Sequence, residues 1–330
     1  MLSHDYSYAA CLEESETNAW TIDDCFRGRA FDFTKAFLPE RLAGVRGITC
    51  LDPVEQRTLN QIRANSYCHL FAFGEEFIVP LVVDNAMRDA FGDEQRLWAL
   101  LRFGEEELKH QELMRRACQH FSARFGVTCE LIAGREGFAE SVVCEWPLTG
   151  LLLASMMEWL VQLHYVEHVR DARELDPLVR DILRYHWIDE SRHAQLDSLL
   201  IEEVATSLPH DKRERAIDEL LALVVAADDL LTEQLELDVS TLERSVGRRF
   251  AADELREIFE HQQRAYRWTF LVSGLEHPRF AQIVRELTDE GPAKVARAAR
   301  RLRRPDDAAD QTFAVSARYS AKRSTAASFA

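Results

Sequence analysis

Residues 106–110 have the sequence Glu-Glu-Leu-Lys-His, and residues 189–193 have the sequence Asp-Glu-Ser-Arg-His. The order acid-Glu-x-base-His therefore occurs twice, with the two copies 83 residues apart. Each copy is preceded by another glutamate, Glu75 or Glu158, which lies 32 residues before its central Glu. On a helix, positions three apart lie on one face. The repeat therefore predicts four helices that direct two glutamates and two Glu-x-x-His pairs toward one centre.

The residue types in this repeat are those that bind pairs of transition-metal ions. Imidazoles suit iron, and carboxylates can bridge two ions. One Glu-x-x-His is expected by chance in a chain with 11 histidines, but this chain has two, each with a glutamate at the same upstream distance. The sequence therefore predicts a two-metal site. Its core ligands are Glu75, Glu107, His110, Glu158, Glu190 and His193.

Each upstream glutamate has a competitor. Glu75 falls at the centre of an apolar helix face, whereas Glu76 falls toward the polar side of the same helix. A carboxylate on an apolar face is costly unless it is paired or bound to a metal, which favours Glu75 and leaves Glu76 as the alternative. The repeat spacing favours Glu158 over Glu167, whose neighbours are charged.

A further candidate ligand is His186, which lies four residues before Glu190 and within the same narrow arc of the helix. Its alternative role is that of a satisfied polar residue. Asp189 and Arg192 flank the ligands. Asp189 is placed to accept the free ring N–H of a histidine on a facing helix and so fix its tautomer, while the alternative for Arg192 is a surface ion pair. Four other helical histidines fit neither repeat and are interpreted as core or surface residues: His69, His164, His168 and His261.

The composition favours helices and excludes several functional classes. Gly (13) and Pro (9) are scarce among 330 residues, and 47% of the chain is hydrophobic. A net charge of −16 argues against nucleic-acid binding. The seven cysteines form no C-x-x-C, the start of the chain lacks a signal-peptide pattern, and the apolar stretch 151–161 is too short to span a bilayer. We expect a cytoplasmic protein without membrane contacts.

Periodicity and turn signals predict three regions: an N-terminal wrap (1–52), a helical domain that holds the metal site (53–292), and a basic then Ser/Ala-rich flexible tail (293–330). The basic run at the start of the tail is interpreted as a solvated helix end rather than a site for an anionic partner. Helices are predicted at 53–88 with a kink at Pro80, 94–125, 149–173 with Thr149 as N-cap, 177–206 with Asp176 as N-cap, 212–237, 251–272 and after Pro278.

The ligand pattern, with His186-x-x-x-Glu190-x-x-His193 at its end, resembles the ferritin-like di-iron oxygenases and most of all the p-aminobenzoate N-oxygenase family. The resemblance covers about residues 60–200, and His186 alone carries the assignment to that family. It implies an all-α, ferritin-like four-helix bundle with additional C-terminal helices. It also implies two iron ions (Fe²⁺/Fe³⁺) held by four glutamates and three histidines, and O2-dependent N-oxygenation of a small-molecule amine. A homodimer and an external electron donor, a reductase or a ferredoxin, are implied as well.

Other functions remain open at this stage. A radical-generating subunit of ribonucleotide reductase commonly has a tyrosine four residues after the first ligand histidine, where this chain has Met114. An acyl desaturase, a ferroxidase or iron-storage protein, and a metal-free bundle are further alternatives. Manganese or a mixed iron–manganese pair also suits a carboxylate-rich site. The substrate is not identified, and the expected pocket walls are Phe71, Phe103, Met157 and Trp187.

Overall fold

The computed structural model describes residue 2, residues 4–88, 90–132 and 147–303, and residues 316 and 319. Its N-terminal region, residues 1–52, contains three short helices that lie over the bundle. They are α1 (Tyr8–Thr17), α2 (Ile22–Phe26) and α3 (Glu40–Ala43). α1 packs on two of the long helices that follow, 94–125 and 177–207, and α2 packs on the second of them. This region therefore covers the elements that carry both copies of the repeat.

The bundle consists of two helical hairpins. The first contains α4 (Pro53–Gly74), α5 (Ile78–Arg88) and α6 (Glu94–Phe125), and the second contains α7 (Pro147–Leu163) and α8 (Pro177–Ser207). α6 packs along α4 and α5, α7 packs along α8, and α6 contacts α8 across the centre. The prediction of an all-α four-helix bundle is confirmed. Within the described residues, β pairing is limited to an isolated bridge between Ala36 and Leu175.

Helix boundaries follow local capping chemistry. Asp176 is the N-cap of α8, as predicted, and its side chain accepts a hydrogen bond from the backbone N–H of Val179 at 2.8 Å. The prediction for Thr149 is wrong, because Thr149 lies inside α7 and its hydroxyl donates to Glu219. α7 continues as a π-helical segment, His164–Val169.

The predicted distortion near Pro80 is present, but it lies on the N-terminal side of the proline. α4 ends at Gly74, residues Glu75–Phe77 form a 3-10 turn, and α5 begins at Ile78. Proline has no N–H for the carbonyl four residues earlier, and its ring displaces that carbonyl. Here that carbonyl belongs to Glu76, inside the turn. The distortion therefore places Glu75 at the end of one helix segment rather than in the middle of a regular helix.

The C-terminal helices pack against the bundle. They are α9 (His210–Val246), α10 (Ala252–Arg267) with its π-helical extension (Trp268–Val272), α11 (Ser273–Leu275), α12 (Pro278–Leu287) and α13 (Gly291–Arg303). The predicted flexible tail begins too early, since residues 293–303 belong to α13. Val295 and Ala299, four positions apart, are buried on the face of α13 that packs toward α9 and α10. Most of the remaining tail lies outside the described residues.

The stretch Pro53–Arg88 is long and apolar enough to cross a membrane by length and composition. However, 72% of its apolar window is buried inside the protein. This burial is what a core helix of a bundle requires, and the stretch also carries the buried carboxylate of Glu75.

Candidate metal centre

The bundle brings all seven predicted ligands to one buried region. α6 carries Glu107 and His110, α7 carries Glu158, α8 carries the other two histidines and Glu190, and Glu75 comes from the turn after α4. Each of the seven side chains is at most 2% exposed. Side chains with this chemistry are rarely buried so completely unless they are paired or bind metal. Helices of both hairpins contribute, so the region lies at the centre of the bundle.

Two overlapping groups of ligand atoms are formed. In the first, Nε2 of His186 lies 3.0 Å from Oε1 of Glu75 and also contacts Glu190, while Nδ1 of His110 lies 3.3 Å from Oε1 of Glu190. In the second, Nδ1 of His193 lies 2.7 Å from an oxygen of Glu107 and 2.7 Å from an oxygen of Glu190. Within each group the donor atoms lie within 4.8 Å of one another. Because His110 and Glu190 belong to both groups, the arrangement suits two neighbouring ions.

Glu158 closes the cluster from α7. Burial, and then the negative charge of Glu190, raises the pKa of Glu158 well above its ordinary value. The protonated carboxyl of Glu158 donates a hydrogen bond to Glu190. Glu158 therefore occupies a position from which it would coordinate a cation once that proton is lost.

Several carboxylate oxygens of the cluster that could bind a metal ion have no hydrogen-bond partner. They are one carboxylate oxygen each of Glu75, Glu107 and Glu158. An unsatisfied buried polar group costs about 1–3 kcal/mol, and a charged group costs more. A pair of divalent cations would satisfy these unpaired oxygens together. The residues present therefore fit a two-metal centre.

Without metal, several ligand side chains of the cluster are protonated near neutral pH. Burial raises the pKa of Glu107 to about 7, with Glu190 adding to the effect. Burial opposes the charged form of His110 and His186. The neighbouring carboxylates together outweigh it, Glu190 with Asp189 for His110 and Glu190 with Glu75 for His186, and raise the two pKa values to about 9 and about 10. The pKa of His193 is raised well above its ordinary value for the same reason. At neutral pH these imidazolium groups balance the buried carboxylates.

Outside the cluster, the two copies of the repeat support each other crosswise. Nε2 of His110 lies 3.0 Å from Asp189, which belongs to the second copy, and Nε2 of His193 lies 3.0 Å from Glu106, which belongs to the first. Arg192 donates to both acids, at 2.6 Å to Asp189 and 2.9 Å to Glu106. With Nε2 donating outward, Nδ1 of each histidine is left to face the cluster. Arg192 is 1% exposed, so it is not a surface ion pair.

The N-terminal region adds two contacts that the sequence did not indicate. Nε1 of Trp20 donates to Asp189 at 2.9 Å, and the hydroxyl of Ser15 donates to Glu106 at 2.6 Å. Lys109 also pairs with Asp189 at 2.9 Å. Glu106 and Lys109 occupy the acid and base positions of the repeat, which was the available signal for their roles. Ser15 and Trp20 lie far from both copies in the sequence and have no comparable signal.

A buried carboxylate that sequence reasoning missed is Asp197. Asp197 is fully buried, and neither of its oxygens has a hydrogen-bond partner. Burial, with the negative charges of Glu107 and Glu190 adding to it, raises its pKa well above the ordinary value. It lies four residues after His193, on the stripe that begins at His186, so helical spacing would have identified it.

The competing residues lie outside the cluster. The side chain of Glu76 is 22% exposed and lies 3.8 Å from Arg115, and Glu167 is exposed. His69 contacts the carbonyl of Ile132 at 3.3 Å. The remaining histidines of this class also lie elsewhere: His164 is hydrogen-bonded to Tyr67 and Ser273, His168 packs edge-on to Trp268, and His261 lies against Gly47.

The four residues predicted to form the pocket walls lie in three different places. Phe71 lies edge-on to His186 with ring centres 5.4 Å apart, and Phe103 stacks on His193 at 4.1 Å. These two rings cover the cluster with apolar surface. Met157 lines a neighbouring cavity. Trp187 instead stacks on Tyr165, with ring centres 4.5 Å apart.

Comparison with known proteins gives limited similarity. No protein-family model and no curated protein matches the chain. A solved structure of an R2-like ligand-binding oxidase with an aerobically reconstituted Mn/Fe cofactor is 17% identical, with a TM-score of 0.42 over 80% of this chain and 92% of that one. A mutant of such an oxidase with an Fe/Fe cofactor is 17% identical, with a TM-score of 0.44 over 80% of this chain and 93% of that one. At this level of similarity, neither the metal content nor the activity of those proteins transfers to this chain.

Proposed function

We propose that this protein is an oxidoreductase that activates O2 at a di-iron centre. The ligands would be the glutamates and histidines of the cluster, with a mixed iron–manganese pair as an alternative occupant. The observation that carries the proposal is the convergence of six buried ligand side chains in two groups that share His110 and Glu190, with the buried carboxyl of Glu158 beside Glu190. Two bound iron ions would supply the electrons and the Lewis acidity that O2 reduction requires.

The residues of the chain have distinct tasks in this proposal. Glu190 belongs to both groups and would help to hold both ions, and carboxylates can shift between binding modes as the charge of a site changes. Asp189 and Glu106 hold His110 and His193 in the orientation that presents Nδ1. The rings of Phe71 and Phe103, which pack on His186 and His193, exclude water from the cluster. Electrons would come from a separate donor, a reductase or a ferredoxin.

For the reaction itself, we propose N-oxygenation of an amine. The support is His186, whose Nε2 lies in the same donor group as Glu75. A third histidine is the feature that distinguishes the p-aminobenzoate N-oxygenase pattern from the six-ligand pattern of an acyl desaturase. A homodimer and a cytoplasmic location are also proposed on the basis of this resemblance and of the charge and cysteine content.

The test uses metal content and oxygen consumption. Protein loaded anaerobically with Fe²⁺ should hold about two irons per chain and should consume O2 when mixed with a reductant and an amine. Analysis of the amine products would then establish N-oxygenation. Loss of reductant and O2 with every amine unchanged would refute N-oxygenation but leave a ferroxidase or another oxidase as the function.

Two neighbouring glutamates provide a matched pair of variants. Glu75→Gln removes a carboxylate of the cluster, whereas Glu76→Gln changes a partly exposed side chain next to it. We expect Glu75→Gln to lose at least one of the two irons and Glu76→Gln to keep both. Equal metal content in the two variants would contradict the assignment of Glu75. Absence of bound iron in the unaltered protein would contradict the di-iron proposal as a whole.

A further inference from the structure

The first helical hairpin exposes apolar side chains on its outer side. Of the eight large apolar side chains that are exposed in the described part of the chain, six lie on α5, on α6 or in the turn between them. Their exposed fractions run from 40% at Val83 to full exposure at Phe91. These six residues, which we name the hairpin face, are Val83, Met87, Phe91, Trp98, Leu101 and Leu108.

The hairpin face is one continuous surface. A Cβ atom added at Gly104 would lie 3.8 Å from Cγ2 of Val83, so Val83 packs beside Gly104. Leu101 and Leu108 lie one turn before and one turn after Gly104 on α6, and Met87 lies one turn after Val83 on α5. The other two residues extend this surface toward the turn that joins the two helices.

The size of the hairpin face suits a contact between proteins. At their exposed fractions, the six side chains offer on the order of 600 Å² of surface, a large part of it from the two aromatic rings. A standard interface takes about 800 Å² from each partner, including its polar rim. Exposed apolar patches larger than a few hundred Å² mark interaction sites.

The outer side of α6 has the spacing of a helix–helix seam. Trp98, Leu101, Glu105 and Leu108 are separated by three, four and three residues, which is the a/d pattern of a heptad. They fall within an arc of about 80°, on the opposite side of α6 from the ligands of the cluster. Leu101 and Leu108 remain 42% and 55% exposed, so the described part of the chain leaves this seam uncovered. The spacing therefore indicates a partner that presents a helix.

Four charged side chains interrupt the hairpin face, and they pair within the hairpin. Asp84 binds Arg88 at 2.7 Å on α5, and Arg102 binds Glu105 on α6. These four charges cancel, whereas the whole chain carries a net charge of −16. Two copies of so acidic a chain repel each other over most of their surface, and the repulsion is weakest where the local charge is zero. This neutrality favours a second copy over a strongly charged partner.

We propose that the hairpin face joins two copies of this chain about a two-fold axis, with the two α6 helices antiparallel and crossing near residue 103. In an antiparallel pair of heptads, the a positions of one helix pack on the d positions of the other. Trp98 of each copy then packs on Leu108 of the other copy, and Glu105 lies beside Leu101 and Arg102 of the other copy. Because both copies use the same surface, the contact closes on itself and gives a dimer.

This inference goes beyond the proposed function. The homodimer proposed above is based on a resemblance and on no particular surface, whereas the hairpin face is a surface with a stated geometry. It points away from the ligands of the cluster, so formation of the dimer does not require metal.

The test is the mass of the metal-free protein in solution, measured by sedimentation equilibrium. We expect twice the mass of one chain. The double variant Leu101→Lys/Leu108→Lys places two charges per copy in the seam and should raise the dissociation constant of the dimer about a hundredfold or more. The matched control is Val54→Lys/Val225→Lys, because these two side chains are 57% and 64% exposed but lie on other helices. We expect the control to remain a dimer.

An exchange of charges tests whether the partner is a second copy. Glu105→Arg brings four arginines together around the two-fold axis and should weaken the dimer. The double variant Arg102→Glu/Glu105→Arg places opposite charges across the axis again and should restore it. Trp98→Phe keeps an apolar ring in the seam and should leave the mass unchanged. Both charged positions are exposed, and circular dichroism would show that the variants are folded.

Several results would overturn the proposal. One is a monomer in the unaltered protein, and another is equal dissociation of Leu101→Lys/Leu108→Lys and its control. A third is a Glu105→Arg variant that dimerises as tightly as the unaltered protein, or one whose loss of the dimer is not reversed by the exchange of charges.

The outcomes for this inference and for the proposed function are distinguishable. Iron binding by a protein that stays monomeric would contradict the dimer through the hairpin face alone. A dimer that responds to these substitutions but binds no iron would contradict the di-iron proposal alone.

Discussion

Loading of the centre with metal should release protons, and their number follows from the structure. In the metal-free protein at neutral pH, His110 and His186 carry protons because their pKa values are raised to about 9 and about 10. The pKa of His193 is raised well above its ordinary value, so this histidine is also protonated. Glu158 holds a further proton, and Glu107, with a pKa of about 7, is about half protonated.

Metal ligands must be deprotonated to bind. Filling both positions should therefore release about four to five protons per chain at neutral pH, one from each of the three histidines and Glu158 and about half of one from Glu107. Since the protonated form competes with the ions, the metal affinity should rise with pH. It should fall steeply as pH is lowered, because lower pH also protonates the remaining carboxylates.

The measurement is calorimetric titration with Fe²⁺ under anaerobic conditions in several buffers that differ in ionisation enthalpy. The dependence of the observed heat on that enthalpy gives the number of protons released. The variant Glu158→Gln lacks one titrating group and should release about one proton fewer. Release of about one proton or none in the unaltered protein would refute the protonation pattern described for the cluster.

Three further predictions concern groups around the centre. Asp189→Asn should lower metal affinity about 10–100-fold, because His110 loses the carboxylate that orients it. Competition with a chelator measures the affinity, and an unchanged affinity would contradict this prediction. His164 is buried and its pKa is lowered to about 3, with burial as the main cause, so the unfolded state binds more protons below about pH 6.5. His164→Gln should therefore remove about 1.3 kcal/mol of the stability lost between pH 7 and about pH 5.5. Denaturant titrations at the two pH values would show this, and equal pH dependence of both proteins would argue against it. Trp20→Phe should destabilise the fold by about 1.5–3 kcal/mol through loss of a hydrogen bond to a buried carboxylate, whereas Trp98→Phe, at a position 57% exposed, should leave the melting temperature nearly unchanged.

The sequence could predict the features that depend on helical periodicity. The repeat located the helices that meet at the centre, because Glu and His at fixed helical spacing share a face. The bounds of α6 match the predicted 94–125. Asp176 was recognisable as an N-cap because its side chain acts on the adjacent backbone.

The features that sequence could not predict depend on contacts between distant segments. Trp20 reaches Asp189 from the N-terminal region, 169 residues away in the chain, and no local pattern signals that contact. The position of the turn at Glu75–Phe77 follows from which carbonyl loses its donor, although its cause, Pro80, was recognised. The packing of α13 depends on Val295 and Ala299, which are too few apolar residues to distinguish a docked helix from a solvated one.

The crosswise contacts between the two copies of the repeat have a consequence for assembly. Neither hairpin contains a histidine together with the carboxylate that orients it, because His110 depends on Asp189 and His193 depends on Glu106. A hairpin separated from its partner would therefore have a complete Glu-x-x-His sequence but a histidine free to rotate. If the centre binds metal as proposed, its histidines are oriented only after the two hairpins have docked, so we expect docking to precede metal capture.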